Sequence, residues 1–245
     1  MTGIYAHRGA SAYAAENTLD AFKLAAEMGA DGIEIDVHIT KDGEIVVAHD
    51  FETDRVALQS GSIPQMTLKE LREMNFAAHK GGSAKIPTLA ETLDFLKPTK
   101  LGLNIEIKAG PVVYEGIEGR LLEMAANWGM EDRIIYSSFN HYHMKAIKLL
   151  SPSAKVGLLY NSALYEPWRY ASYVGADAIH PLYVTLLAPG VVPGCHGENI
   201  AVNPWTVDNP EHIKMLCALG VDNIITNVPD VAINIRNAVA AFMQK

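Results

Sequence analysis

Short runs of alternating or clustered apolar residues give way repeatedly along this chain to longer stretches with apolar positions three and four residues apart. The first run, Ile4-Tyr5-Ala6-His7, precedes an amphipathic stretch of helical length over 18–28. A Gly29-Ala30-Asp31-Gly32 turn then leads into Ile33-Glu34-Ile35-Asp36-Val37-His38-Ile39, which alternates with the period of a strand. Lys41-Asp42-Gly43 reverses the chain into 44–49, so this pair reads as a hairpin-like extension. Six further strands are expected at 101–107, 133–137, 155–159, 176–180, 200–203 and 223–226, which with the first two make eight. Helical periodicity occupies 89–96, 114–128, 142–150, 166–174, 210–219 and 231–243. Strands that alternate with helices pair in parallel through right-handed crossovers, and eight such units predict an α/β fold, a (β/α)8 TIM barrel. Residues 51–86 break the alternation, being polar and Gly-rich, with one short helix expected over 67–74 behind a Thr67/Glu70 capping box. They are expected to form a small insertion between strand two and helix two, of a length that usually carries function.

Composition fits this picture. The 245 residues match the roughly 250 that βα barrels use as one domain, so a single domain over 1–245 is expected. The formal net charge of −8 opposes attraction to nucleic acid or to an anionic membrane, so no nucleic-acid partner is expected. A phosphate substrate would then need a local cation or metal. No run approaches the roughly 18 apolar residues that cross a bilayer, and the opening Met-Thr-Gly-Ile-Tyr-Ala-His has no signal pattern. A cytoplasmic protein without stable membrane insertion is the expectation. Cys195 and Cys217 lie too far apart for a CxxC pair and read as free structural thiols. The aromatic cluster Tyr160, Tyr165, Trp168, Tyr170 and Tyr173 reads as core or dimer surface, which leaves a homo-oligomer open, with Tyr160 at its strand end also placed to contact a substrate.

The candidate chemistry gathers at strand ends, where barrels place their sites. His7-Arg8-Gly9 closes the first strand. Glu34 and Asp36, two residues apart on the second, project from the same face, with Ile33, Ile35 and Val37 on the other. Two carboxylates so placed repel unless a cation lies between them. Asn104-Ile105-Glu106-Ile107-Lys108 repeats the device with one carboxylate and one ammonium. Three carboxylates with no cysteine nearby form a hard oxygen site, suited to one divalent cation, Ca²⁺ or Mg²⁺. Lys108 and the forked guanidinium of Arg8 suit a phosphate. His49, at the end of the returning strand, approaches from the side opposite His7, and two imidazoles across a metal-bound phosphate form a general acid and base. Of the other histidines, His141 and His143 read as surface or capping residues, His180 as either pocket lining or core, and His38, on the face of Asp36, as a residue behind the ligands and not a catalyst.

These residues resemble the glycerophosphodiester phosphodiesterase family. His7-Arg8-Gly9 followed by Glu16-Asn17-Thr18, the stretch from Gly29 to Asp36, and Lys41-Asp42-Gly43 through His49-Asp50 match its opening signature almost without gaps. Glu106-Ile107-Lys108, Ser137-Ser138-Phe139-Asn140, Trp205-Thr206-Val207 and Gly220-Val221-Asp222 to Thr226 match its later blocks. The resemblance implies a metal-dependent hydrolase that cleaves a small-molecule glycerophosphodiester to glycerol 3-phosphate and an alcohol. It implies Glu34, Asp36 and Glu106 as metal ligands, His7 and His49 as acid and base, Arg8 and Lys108 on the phosphate, and Trp205 near the glycerol. In the family scheme the glycerol 2-hydroxyl attacks phosphorus to give a cyclic phosphate that water opens. Two departures, Asn227 for the usual aspartate and Asp208 for the usual asparagine, are expected to bear on rim contacts and to touch neither the metal nor the histidines. Three rivals remain: a lysophospholipase D-type enzyme with an acyl groove formed by 189–193 and 51–86, a phosphatidylinositol phospholipase-type enzyme, against which the carboxylates argue, and a non-catalytic glycerophosphodiester-binding protein.

Overall fold

The computed structural model describes residues 1–110 and 112–243. Strand β1 (Gly3–His7) is followed by α1 (Leu19–Glu27), β2 (Gly32–Ile39) and a short β3 (Ile45–Val47). An excursion holding α2 (Asp54–Ala57) and α3 (Leu68–Leu71) intervenes before α4 (Leu89–Leu96). Regular alternation then runs through β4 (Gly102–Ile107), α5 (Ile117–Trp128), β5 (Ile134–Ser138), α6 (His141–Leu150), β6 (Lys155–Tyr160) and α7 (Pro167–Val174). It ends with β7 (Ala178–Pro181), α8 (Val191–Gly197), β8 (Ala201–Val202), α9 (Pro210–Leu219), β9 (Asn223–Thr226) and α10 (Pro229–Met243).

Eight strands pair in parallel in the order β8-β7-β6-β5-β4-β2-β1-β9, and β3 lies antiparallel on β2. The ring closes between β8 and β9 through single bonds: the Asp222 amide donates to Val202 O and that of Ile225 to Pro204 O, both at 3.0 Å. This is the TIM barrel that the alternation predicts. Helix α8 departs from the expectation, because Pro193 and Gly194 interrupt its apolar pattern, and so does the four-residue α2.

The period-two strands explain the packing. Ile33, Ile35 and Val37 face outward, buried in one core with Phe22 of α1 and Leu89 and Leu93 of α4. Thr18 caps α1 by accepting from the Ala21 amide, and Thr88 with Glu91 forms a capping box on α4. Each such cap contributes about 1 kcal/mol. The expected Thr67/Glu70 box caps α3. The excursion has a core of its own, in which Val56, Ile63, Leu71, Phe76 and Ile86 pack on Val46 and Ala48 around β3. It is anchored to the hairpin and not a loose flap.

Inside the barrel, large side chains fill space that glycines leave. Tyr5 lies over Gly32 and Gly102, Asn223 over Gly3 and His180 over Gly157. His180 therefore belongs to the packed lumen. Its Nε2 pairs with Asn203 Nδ2 at 2.9 Å, and burial pushes its pKa down to about 3, so the ring is neutral. It also lines a cavity of about 600 Å³ among the strand amino ends. That end of a barrel serves stability, and chemistry gathers at the other. His143 is buried, with Nδ1 2.6 Å from Glu118 Oε1 on α5, and His141 Nε2 donates to Leu159 O at 2.8 Å. These two join helix to helix and helix to strand, which corrects the surface reading.

At the end of β1 the backbone turns through two left-handed residues, Arg8 (φ 56°) and Gly9 (φ 80°). A Cβ on Gly9 would lie 2.7 Å from the Ala21 carbonyl carbon, so α1 fits against bare backbone. Gly9→Ala is expected to destabilise by about 2–4 kcal/mol, combining left-handed strain with overpacking against a main chain that cannot yield. Guanidinium unfolding measures it, and a loss below about 0.5 kcal/mol would contradict this account.

Candidate active site at the carboxyl ends of the strands

Strand register builds the site. Parallel pairing sets His7 opposite Glu34, Glu34 opposite Asn104 and Asp36 opposite Glu106. One oxygen from each of Glu34, Asp36 and Glu106 thus lies within 4.8 Å of the other two, and all three side chains are buried. The hairpin brings His49 to the same cavity, which His7, Arg8, Glu34, Glu106, Lys108, Phe139 and Trp205 also line. Trp205 meets Phe139 edge to face at 5.4 Å and donates Nε1–H to His180 O at 2.8 Å, so its ring forms a fixed apolar wall. Every predicted site residue except Asp36 lines this cavity, and Asp36, fully buried, joins it through its carboxylate in the triad.

Cations of the chain itself surround the carboxylates. Lys108 Nζ donates to Glu106 Oε1 at 2.7 Å and lies 3.2 Å from Asp36 Oδ1. Arg8 gives its backbone N–H to Glu34 Oε2 at 3.0 Å and its Nη1 to Glu16 Oε1 at 2.9 Å. Asn17 Nδ2 donates to Asp36 Oδ2 at 2.9 Å. Buried Arg8 Nε and Asp36 Oδ1 find no well-formed hydrogen bond among these groups. Arg8 Nε faces Asp36 Oδ2 at 3.4 Å and Asp36 Oδ1 faces Lys108 Nζ at 3.2 Å, so each has an opposite charge nearby and capacity left for a closer partner.

Burial, then the neighbouring Asp36 and Glu106, raises the Glu34 carboxyl well above its usual range. Burial and Asp36 push Glu106 up to about 7. Burial alone would raise Asp36 too, but Lys108 and Arg8 hold it well below the ordinary carboxylate value. Fully ionised, the three carboxylates would carry more negative charge than Lys108 and Arg8 neutralise, and the raised pKa values of Glu34 and Glu106 reflect that repulsion. Such a set of hard oxygens fits a divalent cation. Burial and Arg8 lower His7 to about 4, and burial lowers His49 against the pull of Asp36, so both rings favour the neutral form.

Several contacts escaped the sequence reading. Arg55, from α2, donates to both oxygens of Glu16 at 2.6 and 2.7 Å and to Asp50 Oδ2 at 2.6 Å. Asp50 Oδ1 accepts from His49 Nδ1 at 2.6 Å. An unbroken chain thus links Arg8 to Glu16, Arg55, Asp50 and His49. His38 donates Nε2–H to His49 O at 3.1 Å and accepts from the Tyr114 hydroxyl at Nδ1, so it supports His49 more directly than Asp36. Tyr160 is buried within the main core. Asn227 is a correction: its Oδ1 lies 2.8 Å from His7 Nδ1, so this departure from the family pattern touches a candidate catalytic histidine directly. The Glu16-Asn17 and His49-Asp50 motifs signalled part of this in advance, whereas nothing in the sequence marked Arg55.

A barrel with a carboxylate triad, two imidazoles and two cations at its carboxyl face defines an enzyme built for an anionic ester. The model of the glycerophosphoryl diester phosphodiesterase family matches residues 7–231, and the chain belongs to that family. It is 41% identical over 237 residues to a glycerophosphodiester phosphodiesterase of Caldanaerobacter subterraneus subsp. tengcongensis, covering 96% of this chain and 97% of the relative. It is 35% identical over 242 residues to one from Bacillus altitudinis, covering 96% and 98%. A solved glycerophosphodiester phosphodiesterase of Parabacteroides distasonis superposes with a TM-score of 0.84 at 29% identity over 98% of both chains. In fold the chain also resembles an Oleispira antarctica phosphodiesterase solved with the product sn-glycerol-3-phosphate, with a TM-score of 0.87 at 24% identity over 97% of both.

Burial would raise the pKa of Glu16, but its bonds to Arg55 and Arg8 bring it from 4.5 down to about 2. A group depressed in this way stabilises the fold above its unfolded pKa and loses that effect as pH falls through the folded one. Glu16→Gln is therefore expected to cost about 2–3 kcal/mol at pH 7, with the gap to wild type shrinking below pH 4.5 and closing near pH 2. Denaturant unfolding across pH tests this, and a gap independent of pH would count against it.

Proposed function

We propose that this chain hydrolyses glycerophosphodiesters to glycerol 3-phosphate and an alcohol, with His7 and His49 transferring protons. The observation that carries the proposal is the convergence of both imidazoles, Arg8 and Lys108 on one cavity beside the buried triad, in a chain of this family. Glu34, Asp36 and Glu106 would hold a divalent cation, Ca²⁺ or Mg²⁺ by their oxygen chemistry. Bound there, it would supply positive charge for the phosphoryl oxygens. The product seen on the Oleispira antarctica enzyme supports the substrate class.

The residues of the chain would divide the work. Arg8 and Lys108 bind the phosphate through charge-assisted hydrogen bonds. Trp205 and Phe139 pack against the glycerol carbons. One imidazole, neutral, takes the proton of the glycerol 2-hydroxyl as its oxygen bonds to phosphorus, and the other, entering as the imidazolium, protonates the alcohol oxygen as its bond to phosphorus breaks. Water then opens the cyclic phosphate by the same two groups with roles reversed. The lysophospholipid reading is less well supported, because neither residues 189–193 nor the 51–86 excursion lines this cavity. No helix among the described residues is long and apolar enough to cross a membrane.

His7→Ala and His49→Ala are each expected to lower kcat on glycerophosphocholine by about 10²–10⁴-fold. Wild-type activity in either variant would overturn the proton-transfer roles. In a separate test, Ca²⁺ or Mg²⁺ at a hundredfold excess over Kd should stabilise the wild type by about 2.7 kcal/mol in thermal unfolding and leave a Glu34→Gln/Glu106→Gln variant unmoved. Equal stabilisation of both proteins, or turnover that survives EDTA, would remove the triad from metal binding.

A further inference from the structure

We propose that Asn227, locked in place by Asp208, is a positioning residue that holds the His7 ring with hydrogen on Nδ1 and a bare Nε2 facing the site. The proposal rests on the reading of His7 as a proton-transfer group and deepens it.

The geometry leaves one consistent assignment. Asp208 Oδ1 accepts from the Thr226 hydroxyl at 3.0 Å and from the Asn227 amide N–H at 2.8 Å, which fixes the carboxylate. Its Oδ2 lies 2.6 Å from one terminal atom of the Asn227 side chain. An ionised carboxylate only accepts, so that atom must be the donating Nδ2. A flipped amide would press its oxygen against the carboxylate at the same distance, which electrostatics forbids. The amide oxygen is therefore turned to the other side, where it lies 2.8 Å from His7 Nδ1 and 2.7 Å from the Ser11 hydroxyl. An amide oxygen carries no hydrogen, so His7 Nδ1 must supply one.

A neutral imidazole has a single N–H, and the hydrogen bond made by one nitrogen decides the state of the other. With Nδ1 occupied, the lone pair of Nε2 is free. Nε2 is the atom nearest the triad, 3.9 Å from Glu34 Oε2, and it is the one able to take a proton from a substrate in the cavity. Asp208 touches no candidate catalytic group among the described contacts, yet its two oxygens settle which nitrogen of His7 faces the chemistry. His49 is held differently, by the Asp50 carboxylate at Nδ1. The two imidazoles are thus both anchored at Nδ1, by partners of different charge.

The test is nitrogen NMR of the full-length protein labelled with ¹⁵N-histidine, with the His7 signals assigned from their loss in His7→Gln, alongside kinetics on glycerophosphocholine. In wild type, Nδ1 of His7 should show a protonated shift and Nε2 an unprotonated one. Asn227→Leu removes the acceptor, so the Nε2-protonated form should appear and kcat should fall about 10–100-fold while KM stays within about twofold. The reciprocal variant Asp208→Asn/Asn227→Asp sets a carboxylate against His7 and an amide donor against that carboxylate. It should keep Nδ1 protonated and recover kcat to within about tenfold of wild type. A wild-type His7 protonated at Nε2 overturns the proposal. So does Asn227→Leu with unchanged tautomer and kcat, or a folded reciprocal variant as impaired as Asn227→Leu. An active His7→Ala would instead overturn the underlying proton-transfer reading, and the tautomer measurement would still decide the role of Asn227.

Discussion

Three carboxylates buried within 4.8 Å of one another are the constraint around which the carboxyl face of this barrel is arranged. Removed from water, they would repel strongly, and a fold that forces them together must supply positive charge or protons nearby. Lys108 and Arg8 supply part of it and depress Asp36, while Glu34 and Glu106 are driven upward and hold protons more readily. The imbalance left over is what makes the triad a candidate cation site. It also reconciles an acidic chain with a phosphate substrate: the net charge of −8 is a sum over the whole surface, and the candidate cavity is lined by a guanidinium and an ammonium.

Much of this was legible in the sequence for a simple geometric reason. Strand residues two apart share a face, so Glu34 with Asp36, and Glu106 with Lys108, announce their convergence before any fold is known. Eight strand-like runs between helical stretches fixed the barrel, and the barrel then fixed the end at which the chemistry lies. Contacts made by residues far apart, or by segments without periodicity, could not be read this way. Asn227 and His7 are 220 positions apart and meet only because β9 lies beside β1 in the closed ring. The reading that Asn227 stays clear of the histidines failed at that closure. Arg55 lies in the polar excursion, where no period marks a side chain as inward, and Pro193 and Gly194 concealed α8.

The excursion contributes more than cover. Its small apolar core fixes α2 on the hairpin, and from there Arg55 binds Glu16 and Asp50 together. Glu16 in turn holds Arg8, and Asp50 holds His49. Surface ion pairs contribute little one by one, but here a partly buried carboxylate is shared by two guanidinium groups, and ends of the site drawn from β1 and the hairpin are set relative to each other. Packing in the excursion is thus coupled to the placement of a proposed catalytic imidazole through a short run of charged bonds.

Both imidazoles are anchored at Nδ1, yet the anchors differ in kind. His49 leans on a carboxylate that is itself bound by Arg55, so a positive ring there would be offset locally. His7 leans on an amide whose direction is set by a carboxylate one residue further out. The negative charge on that side is thereby kept off the ring while its orienting effect is retained. In a site already crowded with three carboxylates, a fourth negative group against His7 would add to the repulsion that Glu34 bears, whereas an amide orients the ring without adding charge.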